Sequence, residues 1–579
     1  MNVFRVRAAQ TCLSGALLCF SATAAADEPR YNLRSLSLGG NDSSVVVPFN
    51  ALDQIAGAAN TASFDGYYAF FHDGATLYDI GTLDGPDSQT FALNDAGQVV
   101  GYSNAPDFEL HAFSWTRSTG IVDLGTLGGP ESVAVDVNDL GQVVGGSTTN
   151  LGELRAFSWT QGGGLVNLGT LGGGSQAVAI NDAGQILGMF SSDASNSDFR
   201  VFLWTPDDGM SDLGMLGDTG ASAALLTQAG QVVGHSGVDD GASHAFSWTA
   251  ATGMIDLGTF GGSDSFPAAV NEAGQVIGFA HDEDGTPLAF SWTSETGLVE
   301  LTLGGNSTAT AINAAGQVVG WSNLPGDEVT HAFSWTLAGG IVDLGTLGGE
   351  HSMANAINDA GQIVGWSTDE DGNQHAFLWT ARDGMLDLND HLGNAPNGAE
   401  LFDAVAISTN GSIIANSPAG HVLLQPSSGD VTGGGWFESP AGAYPSGATV
   451  AGRATFGFVA RHNNGHAGAP NGHVELKLGA APLSFRSDNF ESLFVAGARA
   501  GLKGTGVVNG SAGYEFIATA IDGANIAGGA SDRFRIRIWR YDPVLEQNVV
   551  VYDNQLDPAT VGTLNEGTPT AGGNIAIHP

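Results

Sequence analysis

Along this chain the hydrophobic positions fall in short runs closed by Gly, Asn or Asp, and the runs recur. The plainest marker is the phrase Ala-Phe-(Ser/Leu)-Trp-Thr. Its tryptophan falls at Trp115, Trp159, Trp204, Trp248, Trp292, Trp335 and Trp379, at intervals of 44, 45, 44, 44, 43 and 44 residues. A worn copy lies upstream, where Ala69-Phe70-Phe71-His72 puts His72 in the Trp slot. Fixed periods of this length identify stacked repeats, each too small to bury its own apolar faces.

Each period predicts four strands. The aromatic run comes first, then Gly-Ile-Val-Asp-Leu-Gly, as at Gly120 to Gly125. A Gly-Gly turn leads to a short Ala/Ile run ending in Asn, as at Ala179-Ile180-Asn181, and Gly-Gln-Val-Val-Gly closes the period, as at Gly97 to Gly101. The strands are β-branched and aromatic, and their boundaries are turn formers. In Asn181-Asp182-Ala183-Gly184-Gln185 the Asn side chain can bond nearby backbone, and the Gly can take positive φ to close a hairpin. The frame recurs at Asn138, Asn271, Asn313 and Asn358. No apolar run at helical spacing stands out beyond the N-terminus.

Four short strands per period is the size of a β-propeller blade. The recurring Phe and Trp then read as packing between blades. Eight full copies plus a shared one predict an all-β propeller of about 8–9 four-stranded blades over residues 31–426, an open solenoid being the alternative. The shared blade is expected to take its last three strands from Leu33 to Asn60 and its first from His421-Val422-Leu423-Leu424, which hides the sheet edges. The phrases His-Ala-Phe-Ser-Trp, Asp-Leu-Gly-Thr-Leu-Gly-Gly and Ile-Asn-Asp-Ala-Gly-Gln-Val-Val-Gly resemble the HAF family of bacterial extracellular repeats over residues 31 to 426. That resemblance implies an extracellular location and assigns no activity.

After a linker at 427–429 the period stops. Residues 430–579 show strand alternation, most clearly in Phe534-Arg535-Ile536-Arg537-Ile538-Trp539, and predict a β-sandwich or jelly roll. Val431 to Trp436, Phe456-Gly457-Phe458, Asn509-Gly510, Asp532 to Trp539, Val551 to Asn554 and Gly572 to His578 resemble an uncharacterised C-terminal β-domain of secreted bacterial proteins, which brings a fold expectation and no catalytic residues. Arg533, Arg535 and Arg537 should face away from Phe534 and Ile536. This ridge either docks on the propeller, binds an anionic glycan, or is a solvated face with local acid partners.

The N-terminus changes the compartment. Arg5 and Arg7, the apolar stretch from Ala8 to Ala22 and the small residues Ala22-Thr23-Ala24 and Ala24-Ala25-Ala26 form a secretory signal over 1–26, too short for a membrane span. Both cysteines, Cys12 and Cys19, lie inside it, so the exported chain has no thiol chemistry. The expected location is extracellular or periplasmic, without membrane insertion. Sixty acids against 18 bases give a net charge of −42, which repels nucleic acid and anionic membranes.

Acids can also hold cations, and calcium is the candidate cofactor. Asp282 and Asp284, and Asp369 and Asp371, alternate beside a Gly turn in the same inter-repeat loop, with Asp239 and Asp240 a weaker third copy. Solvated acidic turns are the competing reading. His111, His244, His331 and His375 recur four residues before the Trp, but other copies carry Tyr68, Arg155, Arg200 or Leu288 there, which fits a strand-end contact better than a metal ring. Gly234-His235-Ser236-Gly237 misses the nucleophile-elbow spacing, and no zinc-protease or phosphate-loop motif occurs. Repeat intervals that vary by one residue leave no room for a large catalytic insertion. The sequence therefore points to a secreted non-enzymatic binding, adhesion or scaffold protein with an extracellular glycan or protein partner. The alternatives are a glycan-degrading enzyme on a propeller scaffold and a calcium-stabilised envelope or matrix protein.

Overall fold

A computed structural model describes residues 31–578 apart from positions 37, 48, 62–65, 107, 194–197, 240, 327–328, 393–399, 427–429, 448, 462–470, 497–498, 524–530, 543–546 and 555–567. The signal segment and the linker lie outside the described residues. The repeats fold into nine four-stranded antiparallel sheets, the blades of a closed propeller. Blades one to eight span 39–81, 88–123, 128–169, 175–212, 221–256, 261–301, 307–343 and 348–387. Within each, strand order follows the chain, from an inner strand to an outer fourth strand.

The ninth blade joins the two ends of the repeat region, though not in the proportion expected. Asp403–Ile407, Ile413–Ser417 and Gly420–Pro426 supply its first three strands, and Tyr31–Ser35 pairs with Gly420–Pro426 as the fourth. Val45 to Val47 and Ile55 to Gly57 instead open blade one. The split is three strands to one because the sequence repeat begins at the aromatic run, which is the third strand of a blade. The outermost strand is the one donated across the junction.

Packing explains why the frame is so regular. Each apolar cluster of the ring straddles two neighbouring blades. Val100, Ala112 and Leu124 of blade two meet Ala134, Val137, Val143 and Phe157 of blade three. The same set recurs around the ring to the closing junction, where Leu36, Ile414 and Leu423 of blade nine meet Ile55, Ala59 and Phe70 of blade one. The repeated Phe is fully buried from Phe113 to Phe377, and Trp115 lies 5.1 Å from Phe71 of the preceding blade.

The Asn-Asp-Ala-Gly-Gln turn joins the first strand to the second and also links the blades. Asn94 Oδ1 accepts from the backbone N–H of Ala96 and Gln98, and Gly97 takes φ +78°. Asn94 Nδ2 then donates to the Asn138 carbonyl of the next blade at 2.9 Å. Asn50, Asn138, Asn181, Asn271, Asn313 and Asn358 each make the same step to the next blade. Blade five has Thr227 in that position. At the junction of blades nine and one, Ser412 Oγ donates to Asp53 Oδ2 at 2.9 Å.

The described residues of 430–578 form one antiparallel sheet of ten strands, where a sandwich or jelly roll was expected. The sheet curls so that distant strands share a core. Phe456 stacks on Phe534 at 4.1 Å, and Phe437, Ile536, Ile538 and Ile575 fill the same interior. Asp430–Ser439 pairs with both Gly452–Arg461 and the final Gly572–His578, so the end of the chain is tied in as a strand.

Replacing Asn138 by Ala removes its turn bond to Gln142 N–H and its bond to blade four together. The expected cost is about 1–3 kcal/mol, read as a lower urea midpoint, with the exposed Leu140→Ala as a control that leaves it in place. An unmoved midpoint for Asn138→Ala would show that the apolar clusters alone hold the ring.

Candidate functional site

The two faces of the propeller differ. Turns between first and second strands, and between third and fourth, open on one face. Loops between second and third strands, and the crossings to the next blade, open on the other. The C-terminal sheet covers part of the first face. Ile517 and Trp539 pack against Ala51 and Leu52 of the blade-one turn. Gly501 lies so close to the blade-nine turn that a Cβ there would meet Asn410 Oδ1 at 2.6 Å.

The Arg ridge is part of this contact. Phe534, Ile536 and Ile538 point into the sheet's own core, and Arg535, Arg537 and Trp539 point outward. Arg535 is buried and pairs with Asp553 at 3.2 Å. Arg537 acts electrostatically on Asp95 and Asp139, the acids of the blade-two and blade-three turns. The ridge thus combines local acid partners with docking, and the reading of a freely solvated face falls away.

Those turn acids are themselves embedded. Asp95 Oδ1 accepts from Ala51 N–H at 2.8 Å, and Asp139 Oδ1 accepts from Asp95 N–H at 2.8 Å. Burial, then the neighbouring Asp139 charge, pushes the Asp95 carboxyl up to about 7. Burial likewise pushes Asp53 and Asp136 up to about 6. These are structural acids of the ring, placed where the C-terminal sheet meets it or along the inner strands.

The sequence candidates occupy the opposite, uncovered face, where they serve the blades they belong to. Asp282 Oδ1 accepts from the backbone N–H of Asp284 and Thr286. Asp369 Oδ1 accepts from Asp371 and Asn373 in the same way. The first Asp of each pair is thus a turn cap, and Asp284 and Asp371 are exposed. The two loops stand on blades six and eight and are not brought together. Among the described residues no group of three or more His, Cys, Asp or Glu converges to hold a metal ion. The recurrent His residues are strand-end contacts: His111 bonds Asp123, His244 bonds Asp256, His331 bonds Asp343 and His375 bonds Asp387, each within one blade.

One position was missed in the sequence. The Gly of Val-Val-Gly faces a bulge in the inner strand. A Cβ at Gly101 would meet the Gln89 carbonyl oxygen at 1.9 Å, and one at Gly320 would meet that of Thr308 at 2.1 Å. That glycine is fixed sterically, but the next residue is not. It is Tyr102, Gly146, Met189, His235, Phe279, Trp321 and Trp366 in blades two to eight. These side chains, Gly146 aside, are half-buried at the inner rim of the uncovered face, beside the start of the inner strands. His235 lies 5.2 Å from Phe266 of the next blade, Phe266 lies 5.5 Å from Phe279, and Phe279 lies 5.9 Å from His281. The signal was a variable large residue inside an otherwise constant phrase. A separate shallow recess of about 530 Å³ is lined by Glu109, Gly128, Gly129, Pro130, Thr149, Asn150 and Gly152.

No family model matches the chain, and no curated protein matches it. Solved structures do. TolB from Acinetobacter baumannii is 11% identical, with 59% of this chain and 79% of that chain covered and a TM-score of 0.25. A puromycin-hydrolyzing peptidase from Mycobacterium tuberculosis is 12% identical, covering 75% and 62%, with a TM-score of 0.32. A gluconolactonase from Xanthomonas campestris is 11% identical, covering 42% and 82%, with a TM-score of 0.22. The functional reading rests on this chain's own residues.

A carboxyl whose pKa is raised by folding stabilises the fold in its protonated form. That contribution is complete below the ordinary carboxylate value and is lost as pH rises through the raised one. For Asp53, Asp95 and Asp136 the loss falls as pH rises through about 6 to 7. Melting temperature should therefore drop between mildly acidic and mildly alkaline buffer. Asp95→Asn keeps an acceptor for Ala51 N–H and should flatten that drop. An unchanged pH profile in the variant would remove Asp95 as a contributor.

Proposed function

We propose that this is an exported, non-catalytic binding protein that presents the uncovered propeller face to an extracellular glycan, with an extracellular protein partner as the alternative outcome. The signal-type N-terminus and the resemblance of the repeats to HAF sequences support export. The carrying observation is how the uncovered face uses its groups. Its recurrent His111, His244, His331 and His375 are engaged by Asp within their own blades, its repeated acids cap turns, and half-buried aromatic rings line its inner rim. Aromatic rings recognise ligands by stacking and need no ionisable partner. No helix among the described residues is long and apolar enough to cross a membrane.

The test is a glycan array probed with the full chain, followed by recovery of the bound oligosaccharide. Binding with the ligand recovered intact is the expected result. Release of new reducing ends would replace this reading with the glycan-degrading enzyme. Failure to bind any glycan, with capture of a secreted protein, would transfer the function to the protein partner.

A further inference from the structure

We propose that the inner rim of blades five to eight binds a polysaccharide carrying free amino groups. This inference rests on the binding-protein reading and gives it a site and a ligand chemistry.

Three observations meet on that arc. First, the rings of blades five and six are contiguous. His235, Phe266, Phe279 and His281 follow one another at 5.2, 5.5 and 5.9 Å across blades five and six. Trp321, opposite Thr308, and Trp366, opposite Met353, hold the equivalent places in blades seven and eight. All are half-buried, so each leaves ring surface open at the rim. The C-terminal sheet meets blades nine and one to three on the other face, so it does not cover them.

Second, the arc has one sign of charge. Residues 221–387 contain twenty Asp and Glu, of which Glu272, Glu295, Asp359 and Asp383 lie in turns of the face away from the rim, and the sole Lys or Arg is Arg382. Arg382 lies in a turn between third and fourth strands, on the face away from the rim. Asp264 sits at the rim itself, 3.6 Å from His281. Exposed Glu283 and Glu370 stand on the surrounding loops, and exposed Glu350 stands near the start of the inner strand Gly348–Ile357. A field of this sign repels an anionic polymer and concentrates a cationic one. Ammonium groups are also attracted to aromatic faces, most strongly to Trp.

Third, the site recurs once per blade. A ligand with a repeat of its own can engage several rims at once, which multiplies weak contacts. An amino-sugar chain unites these requirements. It has flat C–H faces for the rings, ammonium groups for the acidic field and a repeating unit for the repeating sites.

The experiment titrates the full chain with a glucosamine hexamer, an N-acetylglucosamine hexamer and a galacturonate hexamer, under mildly acidic conditions in which the amines are protonated. The glucosamine hexamer should bind most tightly, by about tenfold or more over its acetylated counterpart, and its affinity should fall as salt is raised. Trp321→Ala with Trp366→Ala should weaken it about tenfold, with Trp321→Phe and Trp366→Phe retaining most of the affinity. A triple Glu283→Gln, Glu350→Gln, Glu370→Gln variant should reduce both affinity and salt dependence. Melting curves confirm that each variant is folded. Equal binding of the acetylated hexamer, preference for the galacturonate hexamer, or wild-type affinity in the folded double Ala variant would each overturn the proposal. If the glucosamine hexamer fails to bind while another glycan or a protein does, this site assignment falls and the binding-protein reading stands. If the hexamer binds at the rim but is shortened with time, the site stands and the non-catalytic reading falls.

Discussion

A four-stranded blade has two apolar faces, and its own strands cover neither. Everything else in the propeller follows from that shortage. Ala, Val and Phe recur on both sides of each blade because each cluster must be completed by the next blade, as where Val233, Ala245 and Leu257 meet Val276, Phe290 and Trp292. A linear stack would leave two such faces in water. The ring buries both, and Tyr31–Ser35 supplies the fourth strand of the blade that closes it, with Tyr31 buried against blade nine.

Polar groups on the same seam add direction to this adhesion. Apolar contact alone tolerates sliding between blades. The Asn side chain does not, because it is held by its own turn and donates to one carbonyl of the next blade. A second set of bonds runs beside it, from the N–H of Asp95 to Asp139 and from the N–H of Asp139 to Asp182. The result concentrates carboxylates on one face, where burial raises the pKa values of Asp95 and Asp139 and where Arg537 of the C-terminal sheet approaches. The docking surface for the second module is thus a consequence of how the first holds itself together.

The opposite face carries no such obligation. There the steric need for Gly after Val-Val ends abruptly, and the following residue is free to differ between blades. Constancy of the frame and variability of one rim position are two sides of one arrangement: the blades are identical where they must fit each other and diverse where they meet solvent.

The period, the strand content and the packing role of Phe and Trp were legible in the chain because they depend on local alternation and on repetition. The turn chemistry was half legible. Asn and Gly announced a hairpin, but the bond from Asn94 to Asn138 joins residues 44 positions apart and exists only once blades are side by side. Repetition could count the blades only to eight or nine and divided the shared one wrongly, since the phase of a repeat does not say which strand is outermost. At Asp282 and Asp369 the alternating acids were legible, but not that the first carboxylate of each pair caps its turn through backbone N–H groups. The rim from His235 to Trp366 was invisible because its members are spread over blades five to eight, and only ring closure places them along one arc. The sequence by itself determined what each repeat is made of. The tertiary structure decided which face of the ring is covered, which acids are buried and which rings are left open, because all three depend on contacts between segments far apart in the chain.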